Sequence, residues 1–171
     1  MKKKIFVILF FMIIVMAASS LDIPAYIPIE FADFVKIFKT TRGEGPGIKI
    51  YRNNSFRVHA NLPEYPREID ASDIENIKAT LLSLGIHPSR ASEFGYKVEY
   101  IYPSDVEWQK ETRLVLYIQK VQREYFEKEF KINSPIYWFL VFQRFSTFSQ
   151  QGHFLVSDFL NEEQFDSIVG K

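Results

Sequence analysis

The sequence contains no cysteine. That excludes disulfides, thiolate metal sites, a cysteine nucleophile and a lipid-modified cysteine. The fold must therefore rest on its apolar core, and a chain of 171 residues is long enough to build one. Histidine is also scarce: His59, His87 and His153 are the only three. No two stand at an i, i+4 ligand spacing and no acid completes a metalloprotease motif, so neither a metal site nor a cofactor is expected. His59 falls in a predicted strand, His87 just beyond a helix end and His153 beside a turn, and a structural role is expected of each.

Other catalytic signatures are missing as well. There is no Gly-x-Ser-x-Gly nucleophile elbow. The glycine-rich stretch TTRGEGPG at residues 40–47 lacks the Gly-Lys-Ser/Thr ending of a phosphate loop and no helical pattern follows it, so it reads as a loop. Asp158 and His153 lie five apart on a predicted strand, which sets them on opposite faces. Glu124, Glu127 and Glu129 interleave with Arg123 and Lys128, the pattern of a solvated helix face rather than an acid–base pair. No catalytic residue is identified, and the balance leans away from an enzyme.

Excess charge of either sign is absent. The chain carries 21 basic and 21 acidic residues, and without the lysine-bearing leader 18 basic residues face 21 acidic ones. A nucleic-acid partner, which calls for a basic excess, is not expected. Nor does any apolar run approach the roughly 20 residues needed to cross a bilayer.

The longest such run lies in the leader. Residues 1–20, MKKKIFVILFFMIIVMAASS, combine three lysines, a twelve-residue apolar core and a small-residue tail. This is the pattern of a secretory signal peptide, cleaved after Ser19 or Ser20, and it places the rest of the chain in the periplasm or outside the cell. An uncleaved anchor is the alternative. Residues 21–171 then form a single globular domain with no membrane span.

Aromatic residues are abundant, at 16% of the chain. They concentrate in PIYWFLVFQRFSTF at residues 135–148, where positions 136–142 are seven consecutive large apolar residues. A run this short, opened by Pro135, predicts a strand buried on both faces. Tyr137, Phe139 and Val141 point to one side, and Ile136, Trp138, Leu140 and Phe142 to the other.

Around this strand the pattern predicts a helix over residues 29–39, with Phe31, Phe34, Val35 and Phe38 on one stripe. Short strands at residues 48–51 and 56–60 are expected to pair as a hairpin around Asn53-Asn54-Ser55. A helix over residues 72–84 is signalled by a Ser72/Glu75 capping box, a stripe of Ile74, Ile77, Leu81 and Leu84, and Gly85 as its left-handed terminator. Residues 96–102, YKVEYIY, alternate as a strand with Tyr96, Val98, Tyr100 and Tyr102 on one face. Ser104 and Glu107 form a second capping box for a long helix running to about Phe130, although residues 113–118, RLVLYI, also fit a strand. A last strand at residues 153–160, antiparallel to the central one, and a short terminal helix at residues 161–169 complete the chain.

The expected fold is α+β, a mostly antiparallel sheet of about five strands packed by two or three helices. A small barrel of the oligonucleotide- and oligosaccharide-binding type is the alternative. The one candidate binding surface is the face carrying Tyr96, Tyr100 and Tyr102, whose rings and hydroxyls suit a protein or glycan of the cell envelope. Packing of these tyrosines in the core is the competing reading. The functional expectation is an exported, non-catalytic binding or interaction module. The rivals are an exported hydrolase whose site converges only in three dimensions, and a membrane-tethered assembly component.

Overall fold

The structure, a computed structural model, describes residues 26–39, 48–50, 55–104, 110–146 and 149–169. The leader, the loop at 40–47, Asn53, Asn54, Glu107 and Trp108 lie outside the described residues. The elements in chain order are β1 (Ile27–Glu30), α1 (Phe31–Lys39), β2 (Ile48–Ile50), β3 (Ser55–Asn61), β4 (Arg67–Glu68) and α2 (Ala71–Ser83). A 3-10 turn (Pro88–Glu93), β5 (Phe94–Pro103), β6 (Glu111–Gln119) and a second 3-10 turn (Lys120–Gln122) follow. The chain continues through α3 (Arg123–Glu129), β7 (Pro135–Ser146), β8 (Gln151–Leu160) and α4 (Glu162–Val169).

These strands form one open, mixed sheet of eight in the order β1-β3-β7-β8-β6-β5-β4, with β2 also pairing β7. The expectation of about five antiparallel strands is corrected: β1 runs parallel to β3 and β6 parallel to β8. The barrel alternative also falls, because β1 and β4 end the sheet without pairing with each other. Local alternation shows that a segment is a strand, but not which distant strand will lie beside it.

The apolar run is the hub. β8 covers one edge of β7, while β3 and β2 share the other, β3 against Pro135–Val141 and β2 against Arg144–Ser146. The expected hairpin between β2 and β3 is therefore absent: the two lie end to end along β7. Ile136, Trp138 and Leu140 enter one core, and Tyr137 and Phe139 another, as alternation requires.

The expected long helix after Ser104 is also corrected. Residues 111–119 form β6, with Leu114, Leu116 and Ile118 buried on one side and Val115 and Tyr117 on the other. A strand buried on both faces has apolar residues at almost every position, so an i, i+4 pair such as Leu114 and Ile118 arises without a helix. Among the described residues of that stretch, α-helix forms only over the seven residues of α3.

Helix α2 starts two residues earlier than the Ser72/Glu75 box implies. Asp70 is the N-cap: its Oδ1 accepts from the Ser72 and Asp73 amides at 2.8 and 3.0 Å, and Asp73 Oδ2 accepts from the Asp70 amide at 3.0 Å. A carboxylate also complements the positive end of the helix dipole. At the other end Gly85 adopts φ 73°, and the Ile86 amide donates back to the Leu81 carbonyl at 2.8 Å. Asn161 and Gln164 cap α4 reciprocally.

The sheet has two unlike faces. Helices α1 and α3 cover the first, where Phe34, Phe126 and Phe130 pack with Trp138, Phe154 and Phe159 in a continuous aromatic core. On the second face α2 buries Ile77 and Leu81 against Phe94, Val115, Tyr117 and Leu155, and α4 buries Phe165 against Tyr137 and Phe139.

Candidate functional site

The second face carries a charged network beneath the start of α2. On β5, Lys97 and Glu99 project toward the helix, two residues apart on one side of the strand. Lys97 Nζ lies 2.7 Å from Asp73 Oδ2 and 3.3 Å from Glu99 Oε1, and the three side chains are each nine-tenths buried. Arg67 Nη2, on β4, reaches Glu99 Oε1 at 2.6 Å. The second oxygen, Glu99 Oε2, accepts no hydrogen bond among the described residues and lies 3.7 Å from Arg113 Nη1.

The network continues inward through neutral groups. Tyr117 donates its phenol proton to Asp73 Oδ1 at 3.1 Å and stands 3.0 Å from His153 Nδ1. A phenol has one proton, so the imidazole donates from Nδ1 to the Tyr117 oxygen. His153 is buried in β8 rather than solvated beside a turn.

This arrangement favours fixed charge over proton transfer. Burial works against the Lys97 ammonium, but the Asp73 and Glu99 carboxylates outweigh it and raise its pKa above the ordinary lysine value. A lysine held protonated is neither a nucleophile nor a base near neutral pH. Both Asp73 oxygens are engaged, and among the described residues no three His, Asp or Glu side chains converge as a metal site.

A groove of about 320 Å³ opens at the other end of α2, between that helix end, the first 3-10 turn and the sheet. Its walls are aliphatic: Leu81, Leu84 and Ile86 come from the end of α2 and the residues after it, and Val141 and Leu155 from β7 and β8. Arg90, Glu93, Gln119 and Ser157 supply the polar lining. Arg90 and Glu93 satisfy each other through two hydrogen bonds of 2.8 and 2.9 Å, which leaves the rim charge-neutral.

Ser157 lies in the groove lining and is a bulge. β8 pairs Val156 with Leu140 and Asp158 with Phe139, leaving Ser157 unmatched. The bulge also resets the alternation, so Asp158 stands opposite Phe139 on the second face, the face of Leu155, and not opposite to His153 as a regular strand would have it. Burial raises the Asp158 carboxyl pKa, and the hydrogen bond from the Phe159 amide only partly offsets this.

The three tyrosines share a face, but it is the one under α1 and α3. Tyr100 is buried; its hydroxyl donates to the Asn61 carbonyl at 3.0 Å and accepts from Trp138 Nε1 at 2.8 Å. Tyr102 is half-buried, with the Phe31 ring packed on both it and Tyr100. The guanidinium of Arg123 lies over the Tyr96 ring at 5.1 Å. Burial drives the pKa of both Tyr100 and Tyr102 upward, and the Tyr102 hydroxyl makes no hydrogen bond among the described residues. Of the remaining histidines, His87 caps the first 3-10 turn through Nδ1, and His59 stacks on Tyr137 at 4.4 Å.

Comparison with protein-family models, characterised proteins and solved structures finds no match.

Neither the network nor the groove is apparent in the sequence, although one trace of the network is. The alternation YKVEYIY sets Lys97 and Glu99 on a polar face, which in an antiparallel sheet normally meets water. Only the placement of α2 across that face converts it into a buried one.

Proposed function

We propose that the protein is an exported, non-catalytic binding module that takes an apolar segment of a protein partner into the groove between α2 and β8. Export follows from the leader at residues 1–20. The binding reading is carried by one observation: the concavity is walled by aliphatic side chains, while the two ionisable groups in its described lining, Arg90 and Glu93, are spent on each other. Its volume lies within the range of small-ligand clefts. A protein segment suits it better than a glycan. Sugar sites offer an exposed ring as a platform, and among the described residues the only aromatic side chain in the lining, Phe94, is 5% exposed.

The test is titration with short apolar peptides, followed by amide and methyl chemical shifts. Shifts centred on Leu84, Val141 and Leu155, and at least a tenfold loss of affinity in Leu84→Glu with the fold retained, are expected. Shifts centred on Asp73 and His153, or turnover of an ester or peptide substrate, would replace this reading with the hydrolase one.

A further inference from the structure

The groove lies where two strands part. β6 and β8 pair in parallel from Arg113 and Gln151 to Tyr117 and Leu155, and the same register carried on would set Gln119 beside Ser157. The ladder stops short of that rung, although β6 runs to Gln119 beside β5, and β8 to Leu160 beside β7. Both Gln119 and Ser157 line the groove.

One half-buried side chain spans the opening. The Gln119 amide donates to Gln122 Oε1 at 3.2 Å, and Gln122 Nε2 donates to the Ser157 carbonyl at 3.2 Å. These partners fix which end of the carboxamide is oxygen and which is nitrogen, since an amide N–H needs an acceptor and a carbonyl a donor. A carboxamide has the polar atoms of a peptide group. A trans peptide in a strand likewise turns its C=O to one neighbour and its N–H to the other. Gln122 therefore holds the place of one peptide group of a strand lying between β6 and β8.

From this geometry we infer that the partner segment binds in extended form between the ends of β6 and β8, where one of its peptide groups replaces the Gln122 carboxamide. This rests on the groove being a site for an apolar protein segment and states how that segment is recognised. Main-chain bonds to Gln119 and Ser157 set its direction and register, while alternate side chains on one face meet Leu84, Val141 and Leu155. The intervening positions turn to the first face, which Val156 and Phe159 already fill, so small residues are required there.

The probe is the pentapeptide Ala-Leu-Ala-Leu-Ala, acetylated and amidated at its ends, titrated into the full chain and followed by amide chemical shifts. N-methylating its backbone amides one at a time should weaken binding at least tenfold at one position. Gln122→Ala removes the competing carboxamide and should tighten binding of the parent peptide at least fivefold. Gln122→Glu keeps an acceptor for Gln119 but sets an oxygen against the Ser157 carbonyl, and should tighten it as well. The N-methyl scan uses the unmodified chain, so a variant that fails to fold does not blunt the test. No sensitivity to any N-methyl group, or no tightening in a folded Gln122 variant, overturns the inference; shifts still centred on Leu84 and Leu155 then leave the groove reading standing. No binding to the unmodified chain or to either variant overturns both.

Discussion

The two faces of the sheet bury residues of opposite character. Under α1 and α3 lies a continuous aromatic core, in which Phe126 packs on Phe159 at 4.2 Å and the polar atoms of Trp138 and Tyr100 satisfy each other. Under α2 and α4 the apolar residues split into two smaller clusters, interrupted by the Asp73–Lys97–Glu99 network and flanked by the groove. A continuous apolar layer gives stability and leaves little room for a ligand. A divided layer gives less stability but supplies a cleft and fixed charges. The first face is therefore the more stable layer, and the second is the one on which the proposed binding reading rests.

Substituting on the hub strand should break that division most severely. Leu140 is fully buried in the aromatic core, so Leu140→Asp places a carboxylate where nothing compensates it. The expected outcome is loss of the fold, read as loss of near-ultraviolet circular dichroism and of any cooperative urea transition. A folded Leu140→Asp protein would show that β7 is not the hub.

The next effect lies on the charged face. Asp73→Ala removes the nearest carboxylate of a nine-tenths-buried ion pair, leaves the Lys97 ammonium to Glu99 at 3.3 Å and takes away the acceptor of the Tyr117 phenol proton, at a cost of about 3 kcal/mol. The pH dependence has a definite sign. Because the folded-state pKa of Lys97 is raised, its ion pairs contribute fully below the unfolded lysine value of about 10.4, and the contribution is lost as pH rises through the higher folded value. Urea midpoints of the wild type should therefore fall across that alkaline window, and Lys97→Met should abolish that part of the decline. A decline of equal size in Lys97→Met would remove the network from the stability of this face.

The smallest effects separate the tyrosines of the first face. Tyr100→Phe leaves the Trp138 indole N–H and the Asn61 carbonyl without their partner and should cost about 1–2 kcal/mol. Tyr102→Phe deletes a buried hydroxyl that makes no hydrogen bond among the described residues, and should be neutral or stabilising by about 1 kcal/mol. Chemical denaturation of both variants decides it. Loss of partner binding in Tyr102→Phe with stability unchanged would return the tyrosine face to consideration as a binding surface.

Much of this fold is legible as local pattern. The run at 136–142 reads as a strand buried on both sides because no other short element needs seven large apolar residues in succession. The end of α2 is visible in Gly85, since a left-handed residue suits glycine best, and the antiparallel β7–β8 pair follows from the short turn between them. Residues 113–118 are the instructive failure: burial on both faces of β6 erases the period of two that would distinguish it from a helix.

What tertiary structure alone decided is everything that depends on residues distant in sequence. The parallel β6–β8 pair exists because β8 inserts between β7 and β6, a choice made by long-range packing rather than by either strand's own sequence. Lys97 and Glu99 are buried because α2 crosses the face that alternation marks as polar. The groove exists because the end of α2 and the first 3-10 turn meet β7 and β8, segments far apart in the chain. Residue type and spacing determined which segments are strands and helices, since those are local steric and hydrophobic properties. Strand order, the buried charges and the cleft arise from contacts that no local window of sequence contains.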